Sequence, residues 1–135
     1  MTARKRTVER VLSLRDAFET EYARREMERR AKAEAERRQQ EADMAGAEQL
    51  LTAMRADPEF LESRGLTADR RRYTVSLDHQ RFRISAYFEN GVVAVTLSDK
   101  RPAAAGASVP RRQESVGGVP DALRVVAQYL VEETR

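Results

Sequence analysis

The chain has no cysteine and no tryptophan, one histidine, and few glycines and prolines, six and four in 135 residues. Without cysteine there is no disulfide framework and no thiolate to act as nucleophile or metal ligand, which fits a reducing compartment; a cytoplasmic protein is expected. With His79 the single histidine, a histidine-based or Cys/His zinc site is excluded. Aromatic residues are 6% and charged residues 35%, so one core built over the whole length is not expected. No run of 18 apolar residues occurs, so no membrane-spanning helix is expected. The basic start Met1-Thr-Ala-Arg-Lys-Arg6 lacks the apolar region of a signal peptide. There is no glycine-rich phosphate loop followed by Lys-Ser/Thr, and no Gly-x-Gly-x-x-Gly. Ser76, Asp78 and His79 crowd into one hairpin without an oxyanion-hole motif. The expectation is a non-enzyme with no cofactor, no metal and no small-molecule substrate.

What is present begins with Tyr73 to Leu97. Tyr73, Val75 and Leu77 alternate, as do Phe82, Ile84, Ala86 and Phe88, and then Val93, Val95 and Leu97. Alternation of β-branched and aromatic residues is the mark of a half-buried strand. Asn90-Gly91 suits a type I′ turn, which needs φ > 0 at both central residues. It sets Phe88 opposite Val93 and Ile84 opposite Leu97. A two-residue turn at His79-Gln80 would set Leu77 opposite Phe82, Val75 opposite Ile84 and Asp78 opposite Arg81. The expected core is therefore a three-stranded antiparallel meander.

One apolar face needs a cover. Pro120 and Asp121 suit a helix start, and Val119, Leu123, Val126, Ala127 and Leu130 follow at helical spacing, predicting a helix from about 120 to 133. Asp57-Pro58 reads as N-cap and first helical residue of a short helix carrying Phe60 and Leu61, with Gly65 as its C-terminal cap. Gly46 is a weak point before the stripe Ala47, Leu50, Leu51 and Met54. Between about 99 and 118, small residues, Pro and Gly without periodicity predict a mobile loop.

From about Thr7 to Met44 there is no Pro or Gly, and Ala, Glu and Arg dominate. Acid-to-base pairs at i, i+4 recur at Glu21–Arg25, Glu26–Arg30, Glu28–Lys32 and Glu34–Arg38. A helix this long would extend roughly 55 Å and is expected to project from so small a sheet. Its first part carries an apolar stripe, Val8, Val11, Phe18 and Tyr22, which stops where Arg25 and Arg29 take the same face. The heptad does not continue, so a long coiled coil is not expected. The stripe is an expected protein-interaction surface.

The expected class is thus α+β in the order α-α-β-β-β-α, with residues 1–45 an extended charged helix and 46–135 a small folded domain. Residues 70–112 hold nine basic and three acidic residues, a net +6, against +3 for the whole chain. Arg70, Arg71 and Arg72, with Arg81, Arg83 and Tyr87 on the outer sheet face, make nucleic acid an alternative partner. The first expectation is a non-catalytic adaptor that binds protein partners or itself through the N-terminal helix.

Overall fold

The computed structural model describes residues 13–100 and 108–134. In chain order the elements are α1 (Leu14–Met54), α2 (Pro58–Ser63), β1 (Thr67–Arg71), β2 (Thr74–Asp78), β3 (Phe82–Glu89), β4 (Val92–Lys100), β5 (Ser108–Val116) and α3 (Val119–Thr134). The fold is α+β, with an antiparallel sheet in the order β1-β2-β3-β4-β5. The chain divides into two compact units, residues 1–38 and 39–135. The expected boundary after residue 45 falls within α1.

In residues 39–135 the sheet is apolar on one face. Val75, Leu77, Phe82, Ile84, Ala86, Phe88, Val93, Val95 and Leu97 are buried and join Ala47, Leu50 and Met54 of α1 and Val125, Val126 and Tyr129 of α3 in one core. The alternation was read correctly, and the Asn90-Gly91 turn has the expected positive φ at both residues, 53° and 78°. Glu89 pairs with Val92, Phe88 with Val93 and Ile84 with Leu97, as expected.

Three sequence expectations are corrected here. The sheet has five strands, not three. β1 has a single buried residue, Ala68, and joins β2 through a two-residue turn, Arg72-Tyr73, in which Arg72 takes a φ of 56°. A turn built on arginine carries no glycine or asparagine signal. β5 occupies residues 108–116 of the stretch expected to be a mobile loop, and β4 runs on to Lys100; residues 101–107 lie outside the described ones. Pro110 argued against a strand, but β5 is an edge strand, where a missing N–H is tolerated. Opposite it the ladder shifts: Leu97 pairs with Arg112 and Ser98 with Pro110, which leaves Arg111 as the extra residue of a bulge.

The third correction is the β2–β3 register. Leu77 pairs with Ile84, Val75 with Ala86 and Asp78 with Arg83, two residues on from the expected pairing. The connection is longer than two residues: His79 N–H donates to the Phe82 carbonyl at 2.9 Å, and Arg81 N–H donates to His79 Nδ1 at 3.1 Å. The His79 ring stacks on Phe82 at 4.6 Å. A slip of two keeps every side chain on its face, so the hydrophobic pattern could not distinguish the two registers.

The short helix α2 forms as expected: the Asp57 carboxylate accepts from Phe60 N–H at 3.1 Å, and Gly65, at φ 67°, lets Leu66 N–H reach the Leu61 carbonyl at 2.9 Å. Gly46, by contrast, does not interrupt α1. It stands where the helix meets the sheet: a Cβ there would lie 2.8 Å from Phe88 Cε2. Gly46→Ala sets a gain in helix propensity of up to about 1 kcal/mol against overpacking of about 1–3 kcal/mol. Because Phe88 is buried, the clash is expected to win, with a net loss of about 1 kcal/mol. In a Phe88→Leu background the same substitution should become neutral or stabilising. Urea unfolding of the four chains of this cycle checks it; a stabilising Gly46→Ala in both backgrounds would show that the contact is not tight.

Candidate functional site

Two surfaces were expected to carry function. The first lies on α1 within residues 13–38. Val8 and Val11 lie outside the described residues, so the stripe is seen from Leu14 on. Phe18 and Tyr22 are each 63% exposed and Leu14 is 85% exposed. The Phe18 and Tyr22 rings lie side by side, centroids 6.0 Å apart, as four-residue spacing on a helix dictates. With Arg25 and Arg29 they line one shallow depression of about 340 Å³, edged by Glu21 and Glu26.

The flanking charges are held by one another. Glu21 accepts from Arg25 Nε at 2.8 Å and also pairs with Arg24. The hydrogen bond from Arg24, then that from Arg25, lowers the Glu21 carboxyl to about 2. Glu26 pairs with Arg29 and, at 3.4 Å, Arg30; Glu28 takes Arg24 at 2.7 Å; Glu19 takes Arg15 at 3.3 Å. Three of the four expected i, i+4 pairs form, Glu34–Arg38 at 3.2 Å among them. Glu28 is the exception, pairing back to Arg24 and not forward to Lys32. These pairs are exposed to solvent and screened by it, so each adds little to the helix. Their arrangement leaves the aromatic pair as the part of this surface with most to gain from a partner.

The second surface is the outer sheet face within residues 39–135. Arg70, Arg71 and Arg83 line a cleft of about 380 Å³ together with Thr74 and Ser76, but Asp69 and Asp78 share it. Arg83 Nε donates to Asp78 at 2.7 Å, and Lys100 Nζ reaches the same carboxylate at 2.9 Å. Burial pushes the Asp78 carboxyl up, but the hydrogen bonds from Arg83 and Lys100 together outweigh it and hold the group below its ordinary value. Arg70 turns to the Arg72 carbonyl at 3.0 Å. Arg72 sits in the β1–β2 turn, and Arg81 lies in the β2–β3 connection, not on the strand face where the shorter turn would have put it. Tyr87 is exposed on β3, opposite Thr74 and Ala94. The six residues are therefore not brought together into one basic platform.

One feature was not foreseen. Met54 at the end of α1, Phe60 and Leu61 of α2, and Leu123, Ala127 and Val131 of α3 border an apolar groove of about 250 Å³. Sequence reading gave Met54, Phe60, Leu61, Leu123 and Ala127 to apolar covering faces; Phe60 and Leu123 instead remain exposed, as does Val131, which the sequence did not single out. Among the described residues no three of His, Asp or Glu come together to hold a metal ion, and no helix is long and apolar enough to cross a membrane. Compared with known proteins, the chain matches no family model, no curated protein and no solved structure.

Proposed function

We propose that the chain is a non-catalytic interaction protein that binds through the N-terminal half of α1, with Phe18 and Tyr22 as its anchors. The observation behind this reading is the exposure of two adjacent aromatic rings on a stretch of helix, residues 15–38, in which most other side chains are charged or alanine and Met27 is the one other large apolar residue. Aromatic residues lose little rotamer entropy on binding and dominate interface energetics. Nucleic-acid binding through the basic face has less support, because Arg83 is tied to Asp78 and Arg70 to the backbone of its own turn. The one histidine stacks on Phe82 and accepts a backbone N–H, the contacts of a structural residue.

Phe18→Ser with Tyr22→Ser tests the proposal. The substitutions should leave the unfolding of residues 39–135 within about 0.5 kcal/mol of wild type. Binding through this face should weaken by at least about 100-fold, since two anchors at about 1.5–2 kcal/mol each are lost. Sedimentation and affinity capture, run on both chains at equal concentration, give the readout. Equal association and equal capture would remove the face from the function.

A further inference from the structure

We infer that the α1 face pairs with the same face of a second copy of the chain, the two helices antiparallel and the two-fold axis passing between Ala23 and Arg24. The inference rests on the reading that Phe18 and Tyr22 form a binding face, and it names what they bind.

The charge pattern carries it. Residues 16–22 hold Asp16, Glu19 and Glu21 and no base, a net −3; residues 24–32 hold five bases and two acids, a net +3. Two adjoining blocks of equal and opposite charge are self-complementary only when the helices run antiparallel. Their midpoints, residues 19 and 28, then lie opposite each other, which fixes the axis. At 100° per residue Leu14, Phe18, Tyr22, Arg25 and Arg29 share one face. About this axis Phe18 meets Arg29 of the second copy and Tyr22 meets its Arg25. A guanidinium can stack on an aromatic ring while its edge N–H groups keep their own carboxylates, here Glu21 for Arg25 and Glu26 for Arg29. The flanking acids Glu19, Glu21, Glu26 and Glu28 each have a partner in their own chain, so they bring little repulsion to the seam. Parallel pairing in register would instead set acid block on acid block, Arg25 on Arg25 and Arg29 on Arg29. An isologous two-fold contact is also the commonest form of self-association.

The absence of cysteine makes the test clean, because Ala35→Cys in the full chain provides one spin-label site. Ala35 is exposed and lies outside both charge blocks. Antiparallel pairing about residue 23.5 separates the two labels by about 35 Å, at 1.5 Å per residue; parallel pairing leaves them roughly 10–15 Å apart. The expected results are a concentration-dependent dimer with the longer distance, and a several-fold weaker dimer when salt rises from about 0.05 to about 0.5 M. Arg25→Gln with Arg29→Gln should weaken it too, whereas a parallel dimer would tighten on losing its stacked arginines. The shorter distance, or a dimer that survives Phe18→Ser with Tyr22→Ser, overturns the pairing. So does a chain that stays monomeric at high micromolar concentration. If such a monomer still retains another protein that the Phe18→Ser, Tyr22→Ser chain loses, self-pairing fails but the binding face stands. If neither occurs, both readings fail.

Discussion

Tyr129→Ala is expected to destabilise residues 39–135 by about 3–5 kcal/mol, the range for deleting a large buried aromatic. Tyr129 is fully buried, and its hydroxyl donates to Glu114 Oε1 at 3.1 Å. The Arg112 guanidinium lies 4.7 Å over its ring. The residue therefore ties α3 to the edge strand β5. Around it, Arg112 pairs with Glu132, and Arg111 pairs with Glu133 and, at 3.0 Å, with Asp99. A domain of this size has about 5–15 kcal/mol in hand, so the alanine chain should be marginal. Tyr129→Phe keeps the ring and loses only the hydroxyl contact, about 1 kcal/mol. It also gives a pH signature. Burial, then the bond to Glu114, raises the phenol above its ordinary value of 10.0. A raised folded value means the contribution is present below pH 10 and is lost as pH rises through the folded value. The phenylalanine chain should lack that loss. Chemical denaturation at neutral and alkaline pH decides; a Tyr129→Ala penalty under about 1 kcal/mol would show that the site collapses around the gap.

Tyr129 also shows where the sequence stopped being legible. The stripe read for the last helix was Val119, Leu123, Val126, Ala127 and Leu130. The buried residues are Ala122, Val125, Val126, Tyr129 and Leu130. The helix span was right, but its face is turned toward the tyrosine. The turn makes sense only once β5 exists, because Glu114 takes the hydroxyl and Arg112 covers the ring. Sequence periodicity gave β5 no weight: Ser108–Val116 has Pro110 inside it and no apolar alternation, since an edge strand held to a helix by ion pairs needs little of either. β1 was hidden for a related reason, with Ala68 its one buried side chain. The central strands were legible because burial on one face forces alternation, and the Asn90-Gly91 turn was legible because its backbone geometry needs those residues. On the functional side, the exposed aromatic pair was legible from its contrast with a charged helix. The apolar groove was not, because its lining joins residues 53–61 to α3 residues more than sixty positions further along the chain.

The residue best concealed was Asp43. It reads as one more acid in a helix full of them, yet among the described residues it is the one charged side chain that is buried, 6% exposed. Its Oδ2 accepts from Asn90 N–H at 2.8 Å and its Oδ1 from Gly91 N–H at 3.0 Å, with Gln39 Nε2 at 3.0 Å on the same oxygen. One carboxylate thus joins the covering part of α1 to the tip of the β3–β4 hairpin. Asp43 starts the buried series Asp43, Ala47, Leu50 and Met54, and Gly46 beside it lets the helix close on Phe88. Asp43→Ala leaves two turn amides without an acceptor in a place with little water, at about 1–3 kcal/mol per group. The expected loss is about 3 kcal/mol. Asp43→Asn keeps one acceptor oxygen but sets an amide N–H₂ against a backbone N–H, so about half that loss is expected. Hydrogen exchange should report the same order locally, with the Asn90 and Gly91 amides least protected in the alanine chain, intermediate in the asparagine chain and most protected in wild type. Alanine and asparagine chains of equal stability, with both amides still protected, would mean that the turn holds its shape without the carboxylate. The link between hairpin and helix would then be packing alone.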